Sequence, residues 1–149
     1  MPDWICKKFD DLSAQELYAI MQLRNEVFVV EQNCVYQDAD NKDTSCHHLM
    51  GWKGDSQLVA YTRLLPPGLA YPEPSIGRVV TSPAARGGGI GRELMKKSID
   101  RVYLLYGEIP IKIGAQLYLL TFYTSLGFQQ TSEIYLEDNI PHVEMLLPV

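Results

Sequence analysis

An α+β fold, with a mixed sheet of six to seven strands flanked by helices, is predicted by three features of the sequence. Extended runs at 45–53 and 57–65 meet at Gly54-Asp55-Ser56, and runs at 129–136 and 141–147 meet at Glu137-Asp138-Asn139; both are hairpin signals. Three other segments carry apolar residues at helical spacing, so helices separate the strands. Finally, Arg86-Gly87-Gly88-Gly89-Ile90-Gly91-Arg92 crowds four glycines between a β-branched run and the start of a helix. The resulting order is strand, helix, hairpin, strand, helix, strand, helix, hairpin.

Trp4 to Phe9 alternates loosely as a first strand, ended by Asp10-Asp11. Ser13-Ala14-Gln15-Glu16 fits a capping box, with Leu12 and Leu17 placed as a hydrophobic staple. From there Leu17, Ile20, Met21 and Phe28 supply a buried stripe, and one helix is expected to about Val30. Arg24 falls on that stripe, where a cation must reach an edge or find a carboxylate. Residues 31–44 turn polar and read as a loop. Its Asp38, Asp40 and Asp43 lack the glycine and closing glutamate of a calcium loop, so they read as solvated carboxylates or as an entrance for a cationic acceptor.

His47 and His48 are neighbours on the next strand and point to opposite faces, so they do not share a zinc ion, and no metal site is assigned. A proline-rich connector, Pro66 to Pro74, leads into the strand Ile76 to Ser82. After the glycines, Ile90, Leu94, Met95, Ile99, Val102 and Tyr106 line one helix face. Ile111 to Gln116 is a further strand, and Leu119, Phe122, Tyr123 and Leu126 mark a short helix that Gly127 can end.

Glycines before a helix free backbone N–H groups to face a ligand, and the helix terminus adds unpaired donors and partial positive charge. Such a turn suits phosphate or pyrophosphate. Counted from Gly87, a dinucleotide fingerprint needs glycine at Arg92, and a P-loop needs Gly-Lys at Arg92-Glu93; both fail. A glycine turn without a ligand remains the plain alternative.

The chain has 149 residues, one domain's worth (1–149), and a formal net charge of −5, which gives no bulk attraction to nucleic acid. No run is long and apolar enough for a signal peptide or a membrane span, and Cys6, Cys34 and Cys46 form no paired framework. These features lead us to expect a soluble cytoplasmic protein with free thiols, without nucleic-acid or membrane partners.

Arg86, Gly89 and Gly91 spell Arg-x-x-Gly-x-Gly, which resembles the coenzyme-A pyrophosphate loop of the GCN5-related N-acetyltransferase (GNAT) family. Tyr123-x-x-x-Gly127-Phe128 resembles that family's second motif, a helix bearing a catalytic tyrosine. Val27-Phe28-Val29-Val30-Glu31-Gln32, Ile76-Gly77-Arg78-Val79, Gly114-Ala115-Gln116 and Ile140-Pro141-His142 resemble its ElaA-like subgroup. The resemblance covers essentially the whole chain and implies the GNAT, or acyl-CoA N-acyltransferase, fold. It implies acetyl transfer from acetyl-CoA to a small-molecule, peptide or protein amine, with a homodimer as an allowed assembly.

On this resemblance Val79, Val80 and Thr81 would bond the pantetheine arm, as would Gln116, which stands where many relatives carry asparagine. Gly87, Gly88, Gly89, Ile90, Gly91 and Arg92 would hold the pyrophosphate with Arg86, and Tyr123 would protonate the departing thiolate. The helix pattern alone makes Tyr123 a plain core aromatic before anything else, and its place four residues before Gly127, together with the glycine loop, turns the reading to the catalytic one. Arg24, Glu31 and His142 are candidate acceptor-side residues, each with a structural bond as its ordinary alternative. The base that must deprotonate an ammonium is not identified, with Glu31 and Glu144 only available carboxylates. Two rivals are a non-catalytic acyl-CoA sensor of the same fold and a lactone-forming acyltransferase; the latter are longer and carry different N-terminal motifs.

Overall fold

The computed structural model describes residues 2–149. Eight strands alternate with three α-helices: β1 (Asp3–Lys8), α1 (Ala14–Arg24), β2 (His47–Lys53), β3 (Gln57–Leu65), β4 (Ser75–Thr81), α2 (Ile90–Tyr106), β5 (Ile111–Gln116), α3 (Leu120–Ser125), β6 (Gln129–Gln130), β7 (Tyr135–Glu137) and β8 (Ile140–Leu147). The capping box opens α1: the Glu16 N–H donates to Ser13 Oγ at 3.0 Å, and the Ser13 N–H donates to Glu16 Oε1 at 2.8 Å. Such a cap stabilises a helix start by about 1 kcal/mol.

Beyond Arg24 the helix changes character. Asn25–Glu31 is π-helical, with the Gln32 N–H bonded to Val27 O and the Cys34 N–H to Val29 O. The single helix expected to Val30 is therefore an α-helix and a π-turn in series. The wider turn buries Val27 and Phe28 while bringing Glu31 and Gln32 round to the cleft described below.

The expected mixed sheet is realised as two antiparallel sheets. One has the order β1-β2-β3-β4; in the other β8 is central, flanked by β5 on one side and by β6 and β7 on the other. Every ladder among the described residues is antiparallel. β4 and β5 are neighbours joined by one recorded backbone bond at their N-terminal ends, from the Lys112 N–H to Pro74 O at 3.0 Å. Beyond it the strands part.

The parting begins with a bulge. β3 moves from Tyr61 opposite Val80 to Arg63 opposite Gly77, so Thr62 faces two β4 residues, Arg78 and Val79. Arg78 carries φ 49°, a left-handed conformation a non-glycine residue holds only when its surroundings compensate.

The strand expected over 129–136 is likewise two short pieces. Ser132 Oγ accepts from the Glu144 N–H at 2.8 Å, so a side chain replaces the ladder acceptor there. The turn to β8 has positive φ at Asp138 and Asn139, the hairpin geometry their residue types favour. Ile20, Leu23, Val27 and Phe28 pack on Met50, Tyr61 and Val80, whereas Met95 and Val102 of α2 pack with Leu64 and Ile76 and with Ile111, Ile113 and Val143 of the second sheet. α1 and α2 thus cover opposite faces, and α2 bridges the two sheets.

Candidate active site

Where β4 and β5 part, they open a cleft of about 880 Å³. Val79, Val80, Thr81, Arg86, Gly91, Gln116, Tyr123, Glu31 and His142 all line it. Gly87, Gly88, Gly89 and Arg92 form an exposed lip beside it, with half-buried Ile90 at the helix start.

At the lip, Gly87 and Gly89 hold φ 103° and 80°, so these positions require glycine. A Cβ built at Gly87, Gly88 or Gly89 would meet nothing within 4 Å, so the space in front of the backbone is open. Gly89 caps α2, whose first recorded bond runs from the Glu93 N–H to Gly89 O at 3.1 Å. The N–H groups of Ile90, Gly91 and Arg92 therefore lack intrahelical acceptors, and the turn presents donors to an anion. A pyrophosphate fits this donor set and this open space.

Gly89→Asp is expected to abolish acetyl-CoA binding by isothermal calorimetry while leaving a folded protein, because it sets a carboxylate in an anion cradle. Gly89→Ala supplies the control for backbone strain, which costs about 1–2 kcal/mol at positive φ. Unchanged affinity in folded Gly89→Asp makes the loop a plain turn.

The two loop arginines are already engaged. Arg86 forks onto Glu31, donating from Nη1 to Oε2 at 2.9 Å and from Nη2 to Oε1 at 2.7 Å. The hydrogen bond from Arg86, and its charge, hold the Glu31 carboxyl below the usual range. Arg92 donates to Ser125 Oγ at 2.7 Å and lies over Phe122 at 6.0 Å, tying α2 to α3. Glu31 thus belongs with the loop arginine rather than standing free as a base. Gln116 is paired too, exchanging amide bonds with Gln32 at 3.2 and 3.4 Å from the end of the π-turn. Glu144 pairs with Lys112 at 3.1 Å and does not line the cleft.

Tyr123 sits on α3 between Phe122 and Phe128, ring centroids 5.2 and 5.9 Å away, and is 4% exposed. Burial pushes its phenol well above the ordinary tyrosine value, so it stays protonated throughout the physiological range. Among the described residues no side chain bonds its hydroxyl.

Arg24 does not line the cleft. Its guanidinium is 0% exposed, donating from Nε to Asp38 Oδ2 and from Nη1 to Asp43 Oδ1, each at 2.7 Å, and lying 5.9 Å from the Tyr61 ring. Arg63 joins Asp40 and Asp43 at 2.7 and 3.1 Å, and Arg78 reaches Asp38 at 2.7 Å. The three aspartates read as solvated from sequence are thus locked against three arginines. Burial alone would raise Asp40, yet the Arg63 hydrogen bond and the Arg63 and Arg78 charges hold it at about 2. Sequence reasoning missed Arg63 and Arg78 as partners. The available signal was Arg63 itself, a cation amid the apolar run of β3, which requires a carboxylate close by.

His142 faces the cleft beside Gln116, its cross-strand partner. Its Nδ1 lies 2.7 Å from Ile140 O, its ring stacks on Tyr135 at 5.8 Å, and its Nε2 is 3.6 Å from Glu137 Oε2.

This geometry accords with comparisons to known proteins. The family model for the acetyltransferase (GNAT) domain matches residues 9–148. Protein ElaA of Escherichia coli (strain K12) is 44% identical over 147 residues, spanning 97% of this chain and 95% of that protein. The crystal structure of an acyl-CoA N-acyltransferase from Pseudomonas aeruginosa superimposes with a TM-score of 0.93 at 47% identity, covering 98% of this chain and 99% of that chain. The crystal structure of Escherichia coli ElaA gives 0.91 at 42% identity with the same coverage of both chains. With a parted β4–β5 pair, a glycine cradle at the head of α2 and a family match over nearly its whole length, the chain belongs to the GNAT acetyltransferases, a family of acyltransferases.

Proposed function

We propose that the chain transfers an acetyl group from acetyl-CoA to a primary amine by direct attack, with Tyr123 as general acid, acting as a single domain in the cytoplasm. The observation that carries this reading is one cleft combining an anion cradle, two strands with unpaired facing edges and a buried phenol.

The unpaired N–H groups at Ile90, Gly91 and Arg92 hold the pyrophosphate of the donor, with those of the preceding glycines. Val79, Val80 and Thr81 offer backbone partners to an extended pantetheine arm lying along β4, in the manner of an added strand. The amides of Gln32 and Gln116 then exchange their mutual bonds for bonds to that arm. Arg86 either keeps Glu31 or turns to phosphate. This positioning converts a bimolecular attack into a near-unimolecular one.

The attacking nitrogen must be a free amine, since an ammonium has no lone pair. Attack on the thioester carbonyl forms the new C–N bond, and collapse breaks C–S with negative charge building on sulfur. Tyr123 answers that charge. With its phenol raised by burial, full proton transfer to a thiolate is uphill in the ground state, so the hydroxyl acts by donating a hydrogen bond that becomes a transfer as charge develops. The acceptor is a small-molecule, peptide or protein amine, and a homodimer is one assembly open to the chain.

Acetyl-CoA at a hundredfold excess over its dissociation constant is expected to stabilise the protein by about 2.7 kcal/mol, raising the thermal midpoint by roughly 5–10 °C, with NAD and ATP doing much less. A shift with NAD or ATP and none with acetyl-CoA overturns the loop assignment. Mass spectrometry of products from an amine and peptide panel, with acetyl-, propionyl- and octanoyl-CoA as donors, then tests transfer itself. Donor binding without transfer to any acceptor leaves a sensor rather than an enzyme.

A further inference from the structure

From the geometry of the β7–β8 hairpin we infer that His142 is the general base that deprotonates the acceptor ammonium, with Glu137 its supporting carboxylate. This rests on the transfer reaction proposed above and supplies the group that reaction otherwise lacks.

The tautomer carries the inference. Ile140 O can only accept, so a contact of 2.7 Å puts the proton of a neutral imidazole on Nδ1. The Nε2 lone pair is thereby left free, on a residue that lines the cleft and is 7% exposed. Stacking on Tyr135 at 5.8 Å with an interplanar angle of 27° holds the ring in that orientation. Glu137 Oε2 stands 3.6 Å from Nε2, near enough to stabilise an imidazolium yet beyond hydrogen-bond distance of the neutral ring.

Of the other carboxylates near the cleft, three are held by cations, and Asp138 sits exposed at the tip of the β7–β8 turn. Glu31 is held by Arg86 in a two-bond fork, Asp40 is held by Arg63, and Glu144 is paired with Lys112. The groups facing His142 from its neighbours are Tyr135 and Glu137 on β7 and Gln116 on β5. Glu144 with its Lys112 partner, and Tyr71 beside Gly114, stand one pair further along the same face.

The protons balance as follows. The acceptor ammonium gives one proton to His142 Nε2, and the freed amine attacks. The nitrogen of the tetrahedral adduct then carries one proton in excess of the amide product. That proton replaces the one Tyr123 passes to the departing sulfur, and His142 later returns its own to solvent. One proton is released per turnover, with amide and thiol as products.

The decisive variant is His142→Asn. Its amide N–H can still donate to Ile140 O, so the turn keeps its bond, but no lone pair replaces Nε2. We expect kcat/KM to fall about 10²- to 10³-fold, with the affinity for acetyl-CoA by calorimetry unchanged within about threefold. The low-pH limb of the wild-type kcat/KM profile should vanish in this variant. In His142→Ala, added imidazole should restore part of the rate. In Glu137→Gln kcat/KM should fall several-fold with the affinity for acetyl-CoA unchanged, because the carboxylate that supports His142 is lost. Wild-type rates in folded His142→Asn, or a low-pH limb unchanged in it, overturn the assignment. If His142→Asn fails to fold, Glu137→Gln and imidazole rescue of His142→Ala decide, and a wild-type kcat/KM in the first with no rescue in the second sinks the proposal. A wild-type enzyme that transfers nothing refutes instead the reaction on which the inference rests.

Discussion

Tyr123→Phe is expected to lower kcat by a factor on the order of 10² while leaving KM for acetyl-CoA within about threefold. The substitution keeps the ring that packs on Phe122 and Phe128, so the apolar contacts persist and stability should barely change. What is lost is the proton, in a residue that burial keeps protonated and whose hydroxyl no neighbouring side chain uses. On the proposed mechanism the hydroxyl matters when charge builds on sulfur, so its loss is expected in kcat and only weakly in binding. Single-turnover rates with a reactive acceptor isolate that step from product release. Wild-type single-turnover rates in Tyr123→Phe return this residue to a packing role.

Arg24→Met is expected to destabilise the fold by roughly 3–5 kcal/mol, lowering the thermal midpoint by about 10 °C. The loss is electrostatic rather than volumetric, since methionine fills much of the same space. Three arginines face three aspartates in the wild type; removing the fully buried one leaves a carboxylate charge in excess, with Asp38 keeping only Arg78 and Asp43 only Arg63. The double variant Arg24→Met/Asp43→Asn should recover part of the deficit, and the coupling energy from the cycle measures the pair. A single variant within about 1 kcal/mol of wild type would falsify the view that this network holds the 38–43 loop in place.

The acid behaviour follows from the same charges. Asp40 has a folded value below its unfolded one, so its contribution is fully present above about pH 4 and is lost as pH falls toward 2, and Asp43, also lowered, loses its contribution on acidification in the same direction. In Arg24→Met that loss should be shallower, because Asp43 gives up one of the partners that depresses it.

Elements whose signals are local were legible in the sequence. Ser13 and Glu16 mark a helix start, Gly87 and Gly89 mark positive φ before α2, and Asp138-Asn139 mark a hairpin turn; each is decided by residues within a few positions. Features set by distant partners were not. The π-turn at Asn25–Glu31 follows a helix that carries Arg24 to Asp38 and Asp43, a tether invisible in apolar periodicity. The aspartates of the 31–44 loop look solvated because Arg63 and Arg78 are on strands far along the chain. In the candidate site, motif spacing nominated Tyr123 and the glycines. The tautomer of His142, by contrast, depends on a carbonyl contact that no residue pattern records.

The parting of β4 from β5 also sets how the molecule yields to load. A hydrogen-bonded ladder has essentially one spacing, about 4.8 Å, and resists being stretched or sheared. Here the sheets share a single recorded backbone bond, at Lys112 and Pro74, and are otherwise held across the core by Met95 and Val102 of α2 with Leu64, Ile76, Ile111 and Ile113. Side-chain contacts tolerate small displacements that a ladder does not, so compliance is concentrated on one line, fixed by a backbone bond at the Pro74 end and bridged at the other end only by side chains, the Gln32–Gln116 amide pair and the Arg92–Ser125 bond. The two halves are joined like leaves of a book, and the opening is expected to adjust its width to the thickness of what enters without breaking any strand pairing.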